Sequence, residues 1–141
     1  SAEMNDFFSS EKLKTIQNND GRIIKCLKAT DAEYKGCGEA YITTIRQNRI
    51  KGWIYHEMAT LNLVCIHGCV NFVLINPKSL EQHAVKITDE SPTRLTIYPK
   101  TWFGFSNKSN FESKILSIMD LEHSDFEVRK AKLSQFPLDL F

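Results

Sequence analysis

The feature of this sequence that most restricts its fold is a series of short β-prone runs separated by turn residues. The runs are rich in Val, Ile, Thr, Tyr and Phe, and Gly, Pro, Asn or Asp tend to fall between them. They span residues 21–29, 39–46, 52–56, 61–67, 69–76, 83–88, 94–99 and 113–119. Short strands with frequent turn signals are typical of a β-sandwich or β-barrel. Only residues 124–135 have a helical pattern, so we expect an all-β fold with a short C-terminal helix.

Length and charge narrow the functional classes. The chain has 141 residues, which fits a single domain over residues 1–141. Its net charge is +1, so the overall charge gives no reason to expect a nucleic-acid or anionic-membrane partner. No apolar run approaches the ~20 residues of a membrane-spanning helix, and residues 1–14 lack the pattern of a secretory signal. We therefore expect a cytoplasmic protein.

The four cysteines do not form a metal-binding pattern. Cys26, Cys37, Cys65 and Cys69 include no C-x-x-C pair, and Gly68 separates the last two. A tetrahedral zinc site needs ligands that are paired at short spacing. We expect reduced, partly buried thiols and no metal at these residues.

The run CVNFVLIN is apolar on both faces of the predicted strand. Val70, Phe72 and Leu74 lie on one face, and Val73 and Ile75 lie on the other. A strand with one solvated face would alternate between apolar and polar residues. We therefore expect a central strand covered by a second sheet or by a partner subunit, and the second possibility suggests a homodimer.

The run GWIYH places a histidine at the end of a predicted strand. Period-two alternation puts Ile54 and His56 on one face of the strand, and Trp53 and Tyr55 on the other. If the first pair faces the interior of a barrel, His56 points into a pocket with apolar walls. Such a pocket disfavours the charged imidazolium and keeps the side chain neutral, which suits a general base near neutral pH.

Three segments of the chain carry a resemblance to a known family. The matching residues are Gly52, Trp53, His56, Met58, Thr60 to Leu63 and Gly68 in the first segment, residues 98–102 (YPKTW) in the second, and Glu122, His123 and Glu127 in the third. In this order they resemble the cupin-type nucleotide-sugar enzymes related to dTDP-4-dehydrorhamnose 3,5-epimerase, with the sugar 3,4-ketoisomerases as neighbours. The resemblance covers residues 38–133 and implies a double-stranded β-helix, the cupin jelly roll.

The sequence departs from this family at positions that carry chemistry. The four ligand positions of metal-binding cupins correspond here to Ile54, His56, Leu61 and Phe103. One ligand of four cannot hold a divalent ion, so no metal and no cofactor are implied. The catalytic histidine and lysine of the 3,5-epimerases correspond to Ile54 and Leu61, so their standard mechanism cannot be carried over. The base of the 3,4-ketoisomerases corresponds to His56, and Tyr41 lies near the position of their tyrosine.

These matches give a set of candidate site residues. The catalytic candidates are His56 as the base, Tyr41 as the acid, and Asn62 or a nearby cation, Arg46 or Lys51, as the stabiliser of the enolate. The candidate substrate-binding residues, which offer cations for a diphosphate or rings for stacking, are Arg46, Arg49, Lys51, Trp53 and Trp102. Each set also has a structural interpretation. His56 could line a pocket that does no chemistry, Asn62 could have a structural partner, the cations could form a solvated loop, and the aromatic residues could belong to the core.

The resemblance implies an epimerase or ketoisomerase that acts on a nucleotide-linked 4-keto-6-deoxy sugar for surface polysaccharide. In this hypothesis, His56 removes a proton α to the ketone, and the ketone itself acidifies the C–H bond. Two alternatives stay open. The first is a catalytically silent cupin that binds a sugar nucleotide or another small ligand, and the second is a metal-dependent cupin enzyme, which the ligand count argues against.

Overall fold

The computed structural model describes residues 2–141, and nearly all of its regular structure is β. Within this range the chain forms thirteen strands and one 3-10 helix, Leu133–Gln135. The strands are β1 (Ala2–Met4), β2 (Phe8–Lys12), β3 (Thr15–Asn18), β4 (Gly21–Ile24), β5 (Glu39–Ile45), β6 (Ile50–His56), β7 (Leu61–His67), β8 (Cys69–Ile75), β9 (Gln82–Thr88), β10 (Thr93–Ile97), β11 (Trp102–Asn107), β12 (Ser113–Met119) and β13 (Val128–Lys130). The prediction of an all-β fold is confirmed.

Two antiparallel sheets pack face to face. The first has six strands in the order β1-β2-β10-β7-β12-β5, and the second has five in the order β13-β6-β11-β8-β9. Consecutive strands alternate between the two sheets from β5 to β8 and again from β9 to β13, and β3 and β4 form a separate hairpin. The inner faces share one core, to which Leu63 and Leu95 of the first sheet and Phe72, Leu74 and Phe103 of the second contribute. This is the jelly-roll arrangement that the sequence motifs imply.

β8 is covered on both faces by the chain itself. Its outer face belongs to a second apolar cluster made of Trp53, Val73 and Ile75, with Trp102, Ala131, Phe136 and Phe141 packed against it. Two side chains fasten the C-terminal segment there. Asn71 Nδ2 donates a hydrogen bond of 2.7 Å to the carbonyl of Leu140, and Gln82 Nε2 donates one of 3.0 Å to the carbonyl of Pro137. The apolar outer face of β8 is therefore explained without a partner subunit.

The segment predicted as a helix over residues 124–135 is mostly extended. β13 lies within it and pairs antiparallel with the edge of β6, with Val128 opposite His56. This pairing gives the backbone of an edge strand the hydrogen-bond partners that it otherwise lacks. Phe126, an apolar residue of the helical pattern, is fully exposed, so the segment has no buried helical face there. The helical prediction is wrong for this range except at the single 3-10 turn.

An irregularity in β6 changes the face on which Lys51 lies. Along β11, Phe103 and Phe105 are two residues apart, but their partners on β6, Ile54 and Lys51, are three residues apart. One extra residue in a strand is a β-bulge, and it reverses the alternation of the side chains beyond it. Lys51 therefore lies on the cavity side of the sheet together with Ile54, at an exposed position, whereas unbroken alternation would place it on the outer side with Trp53.

Gly104 allows three parts of the chain to meet beside this bulge. A Cβ atom at Gly104 would lie 2.8 Å from the Cζ atom of Phe141 and 3.0 Å from the carbonyl oxygen of Lys51. A side chain here would displace the ring of Phe141 and press on the backbone of β6, so glycine fits best where the C-terminal segment closes over β6 and β11.

Candidate active site

A cavity of about 220 Å³ lies between the two sheets. Its polar side chains are Tyr41 and Thr43 of β5, Lys51 and His56 of β6, and Ser117 of β12. The apolar lining residues are Ile54, Leu61, Leu63, Phe72, Phe103, Phe105 and Ile115. A few convergent polar groups in an otherwise apolar hollow are typical of a small-molecule site.

His56 is the last residue of β6, and Glu127 holds its imidazole ring. The Nδ1 atom of His56 lies 2.8 Å from Oε2 of Glu127, and both side chains are buried. Because an ionised carboxylate can only accept a hydrogen bond, the Nδ1 atom of His56 carries a proton and donates the hydrogen bond to Glu127. The Nε2 atom is left with a free lone pair, as a general base requires.

Glu127 stays ionised because its hydrogen bonds outweigh its burial. Burial alone would raise the pKa of this carboxyl, but the hydrogen bond from His56 and those from two backbone N–H groups lower the pKa of Glu127 below its ordinary value. The backbone donors are Ala59, at 2.7 Å from Oε1, and Met58, at 2.9 Å. The negative charge beside the imidazole fixes the tautomer and the orientation of the ring.

Tyr41 supplies a protonated hydroxyl to the same cavity. It lies opposite Ser117 in the ladder between β5 and β12, and both residues line the cavity. Burial raises the pKa of Tyr41, a hydrogen bond with Ser117 lowers it and the charge of Glu39 raises it, so that the net pKa is above its ordinary value. The phenol therefore keeps its proton at neutral pH and can act as an acid.

Lys51 brings a positive charge to the cavity. Among the described residues that line the cavity, it is the only lysine or arginine. Although Lys51 is an exposed residue, an ammonium group that lines the cavity is suited to stabilising an oxyanion that develops there during a reaction. The β-bulge in β6 is what places this charge on the same face as His56.

Asn62, which was expected at the site, lies elsewhere. Leu61 and Leu63 of β7 line the cavity, and Asn62 between them points to the opposite face. Its Oδ1 atom accepts a hydrogen bond of 2.7 Å from Thr96 Oγ1, and its Nδ2 atom donates one of 3.1 Å to the carbonyl of Glu33. These bonds satisfy a polar side chain that would be costly to bury unpaired. The structure thus corrects the assignment of Asn62 as an enolate stabiliser and gives it a structural role.

Only one of the three predicted basic residues reaches the cavity. The side chain of Arg46 is 81% exposed, and its Nε atom lies 4.0 Å from Oε2 of Glu112. Arg49 lines a separate polar hollow together with Lys108. Neither arginine lines the cavity, so the basic side chain in position to act there is that of Lys51.

The two predicted tryptophans lie outside the cavity, in the apolar cluster on the outer face of the second sheet. Trp53 is fully buried, and its Nε1 atom donates a hydrogen bond of 3.1 Å to the carbonyl of Leu133. The ring of Trp102 lies 5.0 Å from that of Tyr55 and 6.1 Å from that of Phe136. Both rings serve packing, and neither lines the cavity in which a sugar would stack.

Glu127 is the functional residue that the sequence pattern did not indicate. It is 71 residues from His56 along the chain, and its segment has a helical pattern. The resemblance includes Glu127 in a C-terminal motif but assigns it no partner. A strand assignment for Val128–Lys130, paired with β6, would have placed this carboxylate beside the histidine.

Within residues 2–141, no group of three or more His, Cys, Asp or Glu side chains is arranged to hold a metal ion. In the same range, no helix has the length and apolar character needed to cross a bilayer.

Comparison with known proteins gives structural matches. No protein-family model and no curated protein matches the sequence. Among solved structures, a dTDP-sugar isomerase from Desulfovibrio desulfuricans is similar with a TM-score of 0.84 and 20% identity, covering 91% of this chain and 85% of that one. A sugar 3,4-ketoisomerase from Thermoanaerobacterium thermosaccharolyticum gives a TM-score of 0.76 at 19% identity over 89% of each chain. A 3′-monoepimerase from Streptomyces bikiniensis gives 0.84 at 10% identity, over 96% of this chain and 77% of that one.

These neighbours come from the group that the sequence motifs resemble, and at such low identities the comparison establishes the fold alone. The chain has the jelly-roll fold that is also found in nucleotide-sugar isomerases and epimerases.

Proposed function

We propose that this protein is an epimerase or ketoisomerase that transfers a proton α to the ketone of a nucleotide-linked 4-keto-6-deoxy sugar. The observation that carries the proposal is the cavity in which His56, oriented by Glu127 at 2.8 Å, is accompanied by Tyr41 and Lys51. The structural neighbours include a ketoisomerase in complex with TDP and a monoepimerase in complex with dTDP, which supports the same substrate class.

The proposed reaction begins with His56 as the base. The Nε2 lone pair takes the proton from the carbon next to the ketone, the C–H bonding electrons move into a new C=C bond, and the carbonyl oxygen becomes an enolate. The imidazolium that forms is stabilised by the carboxylate of Glu127. Because the ketone acidifies the C–H bond, these steps need no added electron carrier.

Lys51 takes the place of Asn62 as the stabiliser of the enolate oxygen. Its ammonium group is the positive charge among the cavity's described lining residues. The enolate oxygen carries more negative charge than the ketone oxygen. The attraction of the Lys51 ammonium group therefore stabilises the transition state more than the bound substrate. Tyr41, which keeps its proton because its pKa is raised, donates a proton to carbon or to oxygen, and exchange with solvent then removes the proton from His56 and restores that of Tyr41.

The size of the cavity supports a division of the substrate into two parts. A volume of about 220 Å³ is below the ~300–1,000 Å³ of pockets that enclose drug-sized ligands. We therefore propose that the sugar ring enters the cavity and that the nucleotide lies outside it. The apolar walls suit a deoxy sugar, which has a methyl group in place of one hydroxyl.

A second candidate function is a binding module without catalysis. The observation that favours it is the apolar character of Ile54 and Leu61, which occupy the catalytic positions of the 3,5-epimerases. In that case the cavity binds the sugar and no proton is exchanged.

One experiment separates the two candidates. The protein is incubated with dTDP-4-keto-6-deoxyglucose in D2O, and deuterium incorporation at C3 and C5 is followed by proton NMR, with binding measured by calorimetry. Catalysis predicts incorporation that is lost in His56→Asn while binding persists. Binding of the same ligand with no incorporation in the unmodified protein would favour the silent module.

We propose that the protein is a homodimer located in the cytoplasm. Light scattering at several protein concentrations tests whether it is a dimer. The apolar outer face of β8 does not count as support, since the C-terminal segment covers it.

A further inference from the structure

A second hollow, here called the polar hollow, lies where β11 ends beside the turn between β5 and β6. Its volume is about 320 Å³, and its lining includes Asn48 and Arg49 from the turn and Ser106, Lys108 and Asn110 from β11 and the loop after it. It shares no described lining residue with the cavity that holds His56. The function proposed above makes no use of it.

The charge of the polar hollow is one-sided. Arg49 and Lys108 contribute two cations, and none of the described side chains that line the hollow is acidic. Within residues 2–141, neither cation has a carboxylate close enough to form an ion pair. Lys108 also lines an adjoining hollow that includes Asp89 and Glu90, so the charge of Arg49 is the main attraction for anions in the polar hollow.

A buried hydroxyl group is also left without a partner at this place. Ser106 is only 5% exposed, and its Oγ atom has no hydrogen-bond partner among the described residues. Buried polar atoms are rarely left unsatisfied, because each loses its bonds to water on folding. Because Ser106 lines the polar hollow, rotation of its side chain would let the hydroxyl donate a hydrogen bond to a ligand oxygen there.

The walls of the polar hollow are held in place by Asn107. The Nδ2 atom of this buried residue donates hydrogen bonds of 3.0 Å to the carbonyl of Ile45 and 2.7 Å to that of Phe111. Its Oδ1 atom accepts bonds from Ser109 N at 2.8 Å and Ser113 Oγ at 2.7 Å. Its backbone N–H donates to the carbonyl of Arg49 at 3.2 Å. The turn and the loop are thus joined before any ligand arrives, which reduces the entropy lost on binding.

We infer that the polar hollow is an oxyanion site, separate from the cavity, which takes a phosphate-type group. Arg49 has the planar donor geometry that suits two oxygens of a phosphate, Lys108 adds a second charge, and Ser106 and Asn110 offer neutral hydrogen bonds. Two sources share this chemistry, namely free phosphate or pyrophosphate and the diphosphate of a nucleotide.

The test is a titration of the ¹⁵N-labelled full chain with inorganic phosphate and pyrophosphate at constant ionic strength, followed by amide NMR shifts. We expect saturable shifts around Arg49, Ser106 and Lys108. In the double variant Arg49→Gln/Lys108→Gln, the Kd should rise at least about tenfold, and in Ser106→Ala it should rise less. The matched control is Arg46→Gln, which removes the same charge from the same turn outside the hollow and should change the Kd less than about twofold. Shifts that do not saturate, or equal weakening by Arg46→Gln and Arg49→Gln, would overturn the inference.

A second set of titrations distinguishes free phosphate or pyrophosphate from the diphosphate of a nucleotide. Titration with dTDP is compared with pyrophosphate, in the unmodified protein and in His56→Asn. If dTDP displaces pyrophosphate from the polar hollow, the group is the diphosphate of a nucleotide; if both bind together, it is a free anion. Phosphate binding at the polar hollow does not depend on His56, so it can be observed even if the protein catalyses no proton exchange. Deuterium incorporation can likewise be observed even if the polar hollow binds no phosphate.

Discussion

Val128 is the antiparallel partner of His56, and this pairing places the carboxylate of the preceding residue against the imidazole ring. β13 has only three residues, yet it both completes the edge of the second sheet and delivers Glu127 to the site. A segment that adds little to the core thereby fixes the orientation and the tautomer of the candidate base.

We expect Glu127→Gln to slow α-proton exchange about 10- to 100-fold. The amide has no negative charge to stabilise the imidazolium, and it can donate as well as accept, so it no longer fixes the proton on Nδ1. Deuterium incorporation in D2O measures the effect. The control is Glu122→Gln, an exposed carboxylate of the same segment, which should leave the rate within about twofold. Equal slowing in both variants would contradict the role of Glu127.

Glu127 should also make stability depend on pH in acid. Because the pKa of Glu127 is lowered on folding, the unfolded chain binds the proton first as the pH falls. Its contribution is complete above the ordinary carboxyl pKa of about 4.3 and is lost as the pH falls through the lowered pKa. We expect the difference in unfolding free energy between the unmodified protein and Glu127→Gln to be largest at pH 7 and to shrink below about pH 4. Urea denaturation across this pH range measures the difference in unfolding free energy. A difference that does not change with pH would contradict a lowered pKa for Glu127.

Tyr41 should hold its proton to higher pH than an ordinary tyrosine, since burial raises its pKa. Spectrophotometric titration should contain a late component that disappears in Tyr41→Phe and persists in the control Tyr55→Phe. The exchange reaction should remain active up to that late component and fall as the phenol ionises. A titration curve unchanged by Tyr41→Phe would refute the raised pKa.

Replacement of the cavity cation should lower the rate more than it weakens binding. We expect Lys51→Met to reduce kcat for proton exchange about 100-fold with a smaller change in KM, because the enolate forms only during the reaction. Arg46→Met removes one charge from the nearby turn without touching the cavity, and it should change kcat less than about twofold. A loss confined to KM would assign Lys51 to substrate binding instead.

The cysteines should differ widely in reactivity. Burial raises the pKa of Cys65 to about 11, and its side chain is 1% exposed, whereas Cys37 is exposed. Because the thiolate is the reactive form, iodoacetamide at pH 8 should modify Cys37 first and Cys65 last in the folded protein. Peptide mass spectrometry at several times gives the order, and early modification of Cys65 would show that its strand opens readily.

The sequence was informative where local pattern decides structure. β7 and β8 begin and end within one residue of the runs predicted for them, because β-branched residues and a glycine mark their limits. The opposite orientations of His56 and Trp53 follow from period-two alternation, and they are found in the cavity and in the outer cluster respectively.

What the sequence did not indicate depends on contacts between distant segments. The position of Lys51 depends on a bulge, which is a property of the register between β6 and β11 and leaves no mark in the residue pattern. Asn62 is polar in an apolar strand, a signal shared by a ligand contact and a structural hydrogen bond, and only the position of Thr96 decides between them.

The bulge in β6 also bears on how such a site can arise. Lys51 faces inward because of the number of residues between two paired positions, and not because of its own identity. Insertion or deletion of a single codon in this strand would move this charge from the cavity side of the sheet to the outer side without replacing any other amino acid. Comparisons of relatives that align this strand without a gap would therefore assign the cation to the wrong side of the sheet.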